Sequence, residues 1–138
     1  MKKLLLISIV AGLLSACATT PSVTKITVDA SAMKYQPASI EVKLGQPVEL
    51  TFNNTDAVDH DFTIMEIPTE HITAASEPVA GHDMSHMASE PELHMAVAMG
   101  KSGTLSFTPT KSGTYEFFCT VAGHKEAGMV GTLVVTAP

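Results

Sequence analysis

Cys119, His124 and Met129 are evenly spaced, four residues in each gap, along Cys119-Thr120-Val121-Ala122-Gly123-His124-Lys125-Glu126-Ala127-Gly128-Met129. They offer a thiolate, an imidazole and a thioether. A strand ending at Cys119 and another beginning near Met129 leave a compact loop, which lets the three side chains converge. That softness suits copper: thiolate and thioether both hold Cu(I), and imidazole serves both oxidation states. A second imidazole is available far upstream, at His60 in Asp59-His60-Asp61-Phe62. Two imidazoles and a thiolate with a weak, long axial thioether make the blue copper arrangement.

Taken singly, each residue has a plainer reading. His60 suits a surface, Met129 suits a gap in a core, and Cys119 suits a strand as a small apolar residue. Together, their spacing and the flanking Gly123 and Gly128 favour one site. Structural zinc prefers more Cys or His and no Met. A binuclear copper centre needs two Cys in this loop, and there is one. Hydrolytic zinc and oxidase copper clusters need further His, and the sequence has no His-x-His pair.

The only other cysteine is Cys17. It follows Lys2 and Lys3, an uncharged apolar stretch from Leu4 to Leu14, and Ser15-Ala16. The stretch is too short to span a bilayer and reads as an export signal. The segment resembles a bacterial lipoprotein signal. That implies removal of residues 1–16, lipidation of Cys17 and a tether over residues 17–24. Ala18 behind the cysteine implies the outer membrane, facing the periplasm. Cys119 then has no intramolecular partner, and in an oxidising compartment a metal is the obvious occupant.

A period of two marks the elements that must carry these donors. Ile26 and Val28 alternate with polar neighbours, as do Ile40 and Val42, and Val48, Leu50 and Phe52. Asp61 to Glu66 continues the pattern. Leu93, Met95 and Val97 repeat it, then Leu105 and Phe107, then Tyr115 and Phe117 running into Cys119, and finally Val130, Leu133 and Val135. About eight strands without a helix predict an all-β antiparallel sandwich. Periodicity does not separate one Greek-key type from another. The length supports one hydrophobic core, hence one domain over residues 25–138.

Residues 67–92 break the alternation with Pro68, Pro78 and Pro91 among Ala, Ser and Glu, and predict an exposed, mobile loop. Within it, Gly81-His82-Asp83-Met84-Ser85-His86-Met87 packs four soft or borderline donors into a short run. Such a loop can wrap Cu(I), making His82, Met84, His86 and Met87 a candidate second site; the rival reading is a polar linker with incidental Met. Just beyond, His94 and Met95 should face opposite sides of a strand.

The spaced Cys, His and Met, together with Phe52-Asn53-Asn54 ahead of His60-Asp61-Phe62, resemble the cupredoxins from about residue 25 to 135. The resemblance implies a Greek-key sandwich binding one type 1 copper through His60, Cys119, His124 and Met129. It places Asp61 and Thr120, each directly after a ligand, around the thiolate. Two departures stand out. Ala122 occupies a position where many relatives have Pro, and Asp61 one where some have Asn or Ser. A carboxylate there favours the oxidised ion. The implied function is a one-electron carrier, not an enzyme, serving a periplasmic cytochrome or oxidase. The loop and the anchor favour a rival: a copper chaperone, store or tolerance lipoprotein. The net charge of −6, which becomes −8 without Lys2 and Lys3, argues against nucleic acid as a partner.

Overall fold

A computed structural model describes residues 22–85 and 87–138. Cys17 and His86 lie outside the described residues. The described residues form ten strands: β1 (Thr24–Ser31), β2 (Lys34–Gln36), β3 (Ser39–Lys43), β4 (Val48–Asn54), β5 (His60–Ile64), β6 (Thr69–Ala75), β7 (Leu93–Val97), β8 (Ser102–Pro109), β9 (Gly113–Phe118) and β10 (Val130–Thr136). They form two five-stranded sheets, ordered β2-β1-β4-β8-β6 and β3-β10-β9-β5-β7. The expected sandwich is present, and no helix occurs among the described residues.

The sheets are mixed rather than wholly antiparallel. β1 pairs with β4, and β3 with β10, in parallel. The chain leaves the first sheet after β2, adds β3 to the edge of the second, and returns as β4 beside β1. Crossing between sheets in this way allows neighbours to run in the same direction. Alternation reports which face is buried and is blind to strand direction.

The expected loop over residues 67–92 is shorter than its composition suggests. Its first part is β6, an edge strand whose central and last residues are all exposed. β6 is held by its antiparallel ladder to β8, with a bulge between Glu70 and Thr73, and not by an apolar face. His71 sits at the bulge with φ 56°.

Tyr35, Phe52, Phe62 and Phe117 fill the space between the sheets below the candidate site. The Phe62 and Phe117 rings stack at 4.6 Å, and Tyr35 meets Phe117 edge-on at 5.0 Å. Each such pair adds about 0.5–1.5 kcal/mol beyond area burial. The Tyr35 hydroxyl donates to the backbone carbonyl of Asp61 at 2.5 Å. The cluster thereby fixes β5 and β9, which carry His60 and lead into Cys119.

Candidate metal centre

His60 opens β5, and Cys119 directly follows β9, the neighbouring strand. Both side chains are fully buried. His60 shares the inward face with Phe62 and Ile64, and Cys119 shares it with Phe117.

The loop from Cys119 to Met129 is a series of tight turns. The Met129 N–H donates to the His124 carbonyl at 2.9 Å, and the Cys119 N–H donates to the Met129 carbonyl at 3.2 Å. Gly123 and Gly128 adopt φ of 84° and 89°, a left-handed conformation that disfavours a side chain. The Lys34 ammonium donates to the carbonyls of Ala127 (3.0 Å) and Gly128 (3.2 Å), tying the loop to β2. These bonds hold the loop together. Met129 is fully buried among the core residues.

The three strong donors form a small triangle. His60 Nδ1 lies 3.2 Å from His124 Nδ1; the Cys119 sulfur lies 3.8 Å from the first and 3.4 Å from the second. A point equidistant from three atoms so spaced is about 2 Å from each, within the usual range for metal–imidazole bonds and slightly short for thiolate. The donor set and its spacing therefore fit a single copper ion.

Asp56 decides which nitrogen of His60 is bare. Its carboxylate lies 2.9 Å from His60 Nε2. A carboxylate can only accept, so Nε2 carries the proton and Nδ1 turns its lone pair toward the thiol. Asp56 is itself held by the N–H groups of Ala32 (2.7 Å) and Met33 (2.9 Å). The Met33 N–H is the main reason its pKa falls below the ordinary carboxylate value, with the His60 hydrogen bond adding to it.

Asp61 is buried on the outer face of β5, opposite His60. Its oxygens accept from the Thr120 N–H at 2.9 and 3.1 Å, the Thr120 hydroxyl at 2.5 Å and the Thr63 hydroxyl at 2.9 Å. Burial first, and then the charge of Asp61, push the Cys119 thiol up to about 11. Without metal, Cys119 is thus a neutral thiol at pH 7. Burial, reinforced by His60, lowers the pKa of His124 and favours the neutral ring that a metal requires.

The structure thus brings His60, Cys119 and His124 together, with Met129 closing the loop and Asp61 bonded to Thr120. It does not gather the described members of the second candidate set into one wrap. His82 packs flat on His94, with ring centroids 5.0 Å apart. The Met84 sulfur lies 3.4 Å from the Thr120 hydroxyl, and Met84 and Met87 line a surface pocket. Asp56, bonded to His60, and Thr63, bonded to Asp61, are the residues around this centre that the sequence did not single out. The signal nearest to hand was Asp56, four residues ahead of His60.

Fold and site together define a cupredoxin, and similarity to known proteins agrees. The family model for the cupredoxin-like domain matches residues 4–135, and the chain belongs to that family. It is 38% identical over 104 residues to the copper-resistant cuproprotein CopI of Rubrivivax gelatinosus, covering 75% of this chain and 60% of that protein. To CopI of Pseudomonas aeruginosa it is 30% identical over 128 residues, covering 75% and 71% respectively. The chain therefore spans less than two thirds of the Rubrivivax relative. Among solved structures, dithionite-reduced auracyanin from Roseiflexus castenholzii shares the fold with a TM-score of 0.62 at 24% identity, covering 85% of this chain and 99% of that one.

Proposed function

We propose that this cupredoxin is a type 1 copper protein that exchanges one electron at a time in the bacterial cell envelope. The carrying observation is the triangle of buried His60, buried Cys119 and half-buried His124. Bound copper supplies a couple between Cu(I) and Cu(II). The protein's part is to hold the donors in one geometry for both states. Asp56 and the loop bonds do this without the metal. Four protein donors, counting Met129, support electron exchange rather than bond-making on a substrate, so we assign no enzymatic reaction. His124 borders a cleft with Val58, Val121 and Met99. Val58 and Met99 are 47% and 58% exposed, an apolar rim suited to brief docking of a periplasmic redox protein such as a cytochrome or oxidase. Lipidation at Cys17, with placement on the outer membrane facing the periplasm, belongs to the same proposal.

A second reading is copper handling in tolerance. It is favoured by the two CopI relatives, which are named copper-resistant cuproproteins. The test loads the full chain with Cu(II), records its charge-transfer spectrum, and measures two rates: electron transfer to a c-type cytochrome and Cu(I) transfer to an acceptor chelator. An intense thiolate band with fast electron exchange supports the carrier. Slow exchange with ready Cu(I) transfer supports handling. Absence of the band overturns the type 1 assignment.

A further inference from the structure

His82, His94 and Asp61 meet on the outer face of the second sheet, away from the triangle of Cys119. Their candidate ligand atoms all lie within 4.8 Å of one another. His94 stands on β7 directly across from Thr63 on β5. The segment after β6 lays His82 over it. The two Nε2 atoms are 3.1 Å apart, and His82 Nε2 is 3.7 Å from the Asp61 carboxylate.

The hydrogen bonds of Thr63 decide which nitrogen of His94 is bare. The Thr63 hydroxyl has one proton and spends it on Asp61 Oδ1 at 2.9 Å. It can therefore only accept from His94 Nδ1, also at 2.9 Å. Nδ1 carries the proton, and His94 Nε2 is left as a lone pair aimed at His82. Carboxylate, hydroxyl and imidazole in series are the arrangement that orients metal-binding histidines. Burial also lowers the pKa of His94, favouring the neutral ring.

Charge points the same way. Asp61 is fully buried, no Lys or Arg pairs with it among the described residues, and the His82 ring lies 3.7 Å from its carboxylate. An interior carboxylate facing two imidazoles is better compensated by a cation between them than by hydrogen bonds alone. The Thr120 hydroxyl gives its single proton to Asp61, so its 3.4 Å contact with Met84 leaves the thioether lone pairs unused.

We propose that His82 and His94 hold a second copper as Cu(I) through their Nε2 atoms, with Asp61 balancing its charge and Met84 supplying a soft neighbour. At about 2 Å from each nitrogen, an ion there subtends roughly 100° between them, given their 3.1 Å separation. Binding requires the proton that His82 Nε2 shares with His94 to move to His82 Nδ1. This is a change of tautomer without net proton release. Thioether and imidazole, with a carboxylate already saturated by hydrogen bonds, favour the reduced ion over Cu(II) and Zn(II).

The test is an anaerobic Cu(I) titration of the metal-free full chain against a chromogenic Cu(I) chelator, repeated for His82→Ala and His94→Ala. Zn(II) competition and the blue band after reoxidation are read on the same samples. The wild type is expected to take up two equivalents and each variant one, with the blue band retained. His82→Ala decides if His94→Ala fails to fold, because His82 lies outside the strands. One equivalent in the wild type, or two in His82→Ala, overturns the site. A second equivalent that Zn(II) takes in preference to Cu(I) overturns the copper assignment. Loss of the blue band with the second equivalent retained strikes the type 1 reading and leaves this site standing.

Discussion

The carboxylate of Asp56 lies 2.9 Å from Nε2 of His60, whose other nitrogen faces the Cys119 sulfur at 3.8 Å. A negative charge on the far side of a ligand ring increases the electron density that the ring donates, and so favours Cu(II). Asp56→Asn keeps an acceptor and loses the charge; Asp56→Ala loses both. Both variants are expected to raise the reduction potential and to weaken Cu(II) binding, by roughly 10–100-fold for an outer partner of a metal-bound histidine. Voltammetry and Cu(II) competition check this. An Asp56→Ala protein with unchanged potential would remove Asp56 from the site.

Proton release follows from Cys119. Its thiol is pushed up to about 11 in the metal-free protein, chiefly by burial. Copper must displace that proton at pH 7, so loading is expected to release one proton from this residue, and affinity to rise with pH. The sign for stability is opposite. A raised folded-state pKa stabilises the metal-free fold below the unfolded thiol's value near 8.5, and that contribution is lost as pH rises toward 11. Denaturation of the metal-free protein at pH 7 and pH 10 should show a larger loss in the wild type than in Cys119→Ser, where buried Tyr35 still contributes, and the variant should also lack the blue band. Equal pH dependence in both proteins would refute the assignment.

The candidate donors were legible because Cys119, His124 and Met129 lie within one short loop, and the structure brings Cys119 and His124 together with His60. Strands β1, β3, β4 and β7 to β10 were legible because one face is buried and the other is not. β5 was legible from the alternation of Phe62 and Ile64 with Asp61 and Thr63, but that pattern hid the burial of Asp61 and Thr63 on its other face. β6 resists that test, having no buried face. Asp56 reads in the sequence as an ordinary turn residue; its partners Ala32 and Met33 reach it only through the pairing of β1 with β4. His94 likewise meets Asp61 and Thr63 only once β5 and β7 are in register.

Met129 should tune the centre rather than create it. An axial thioether is a weak, long ligand. Leu has nearly the volume of Met, so Met129→Leu is expected to cost less than about 1.5 kcal/mol of stability. It should retain copper and raise the potential, because removing a donor destabilises Cu(II) more than Cu(I). Copper stoichiometry and voltammetry test both parts. Complete loss of copper would give Met129 a larger role than an axial one.

Gly131 couples the core to the centre. It pairs with Phe117 across β9 and β10. A Cβ at this position would lie 2.2 Å from Phe117 Cζ and 2.8 Å from the Ala38 carbonyl oxygen. The ring cannot easily withdraw, because Phe62 stacks on it at 4.6 Å and Tyr35 meets its edge at 5.0 Å. The backbone of Ala38 is likewise fixed, since its carbonyl accepts from the Thr132 N–H at 2.8 Å. Gly131→Ala must therefore displace β9, the strand that leads into Cys119. Overpacking of this kind costs about 1–3 kcal/mol. The denaturation midpoint should fall accordingly, and the thiolate-to-copper band should shift as the sulfur moves relative to His60. A variant with wild-type midpoint and spectrum would mean that the Phe117 ring yields without moving Cys119.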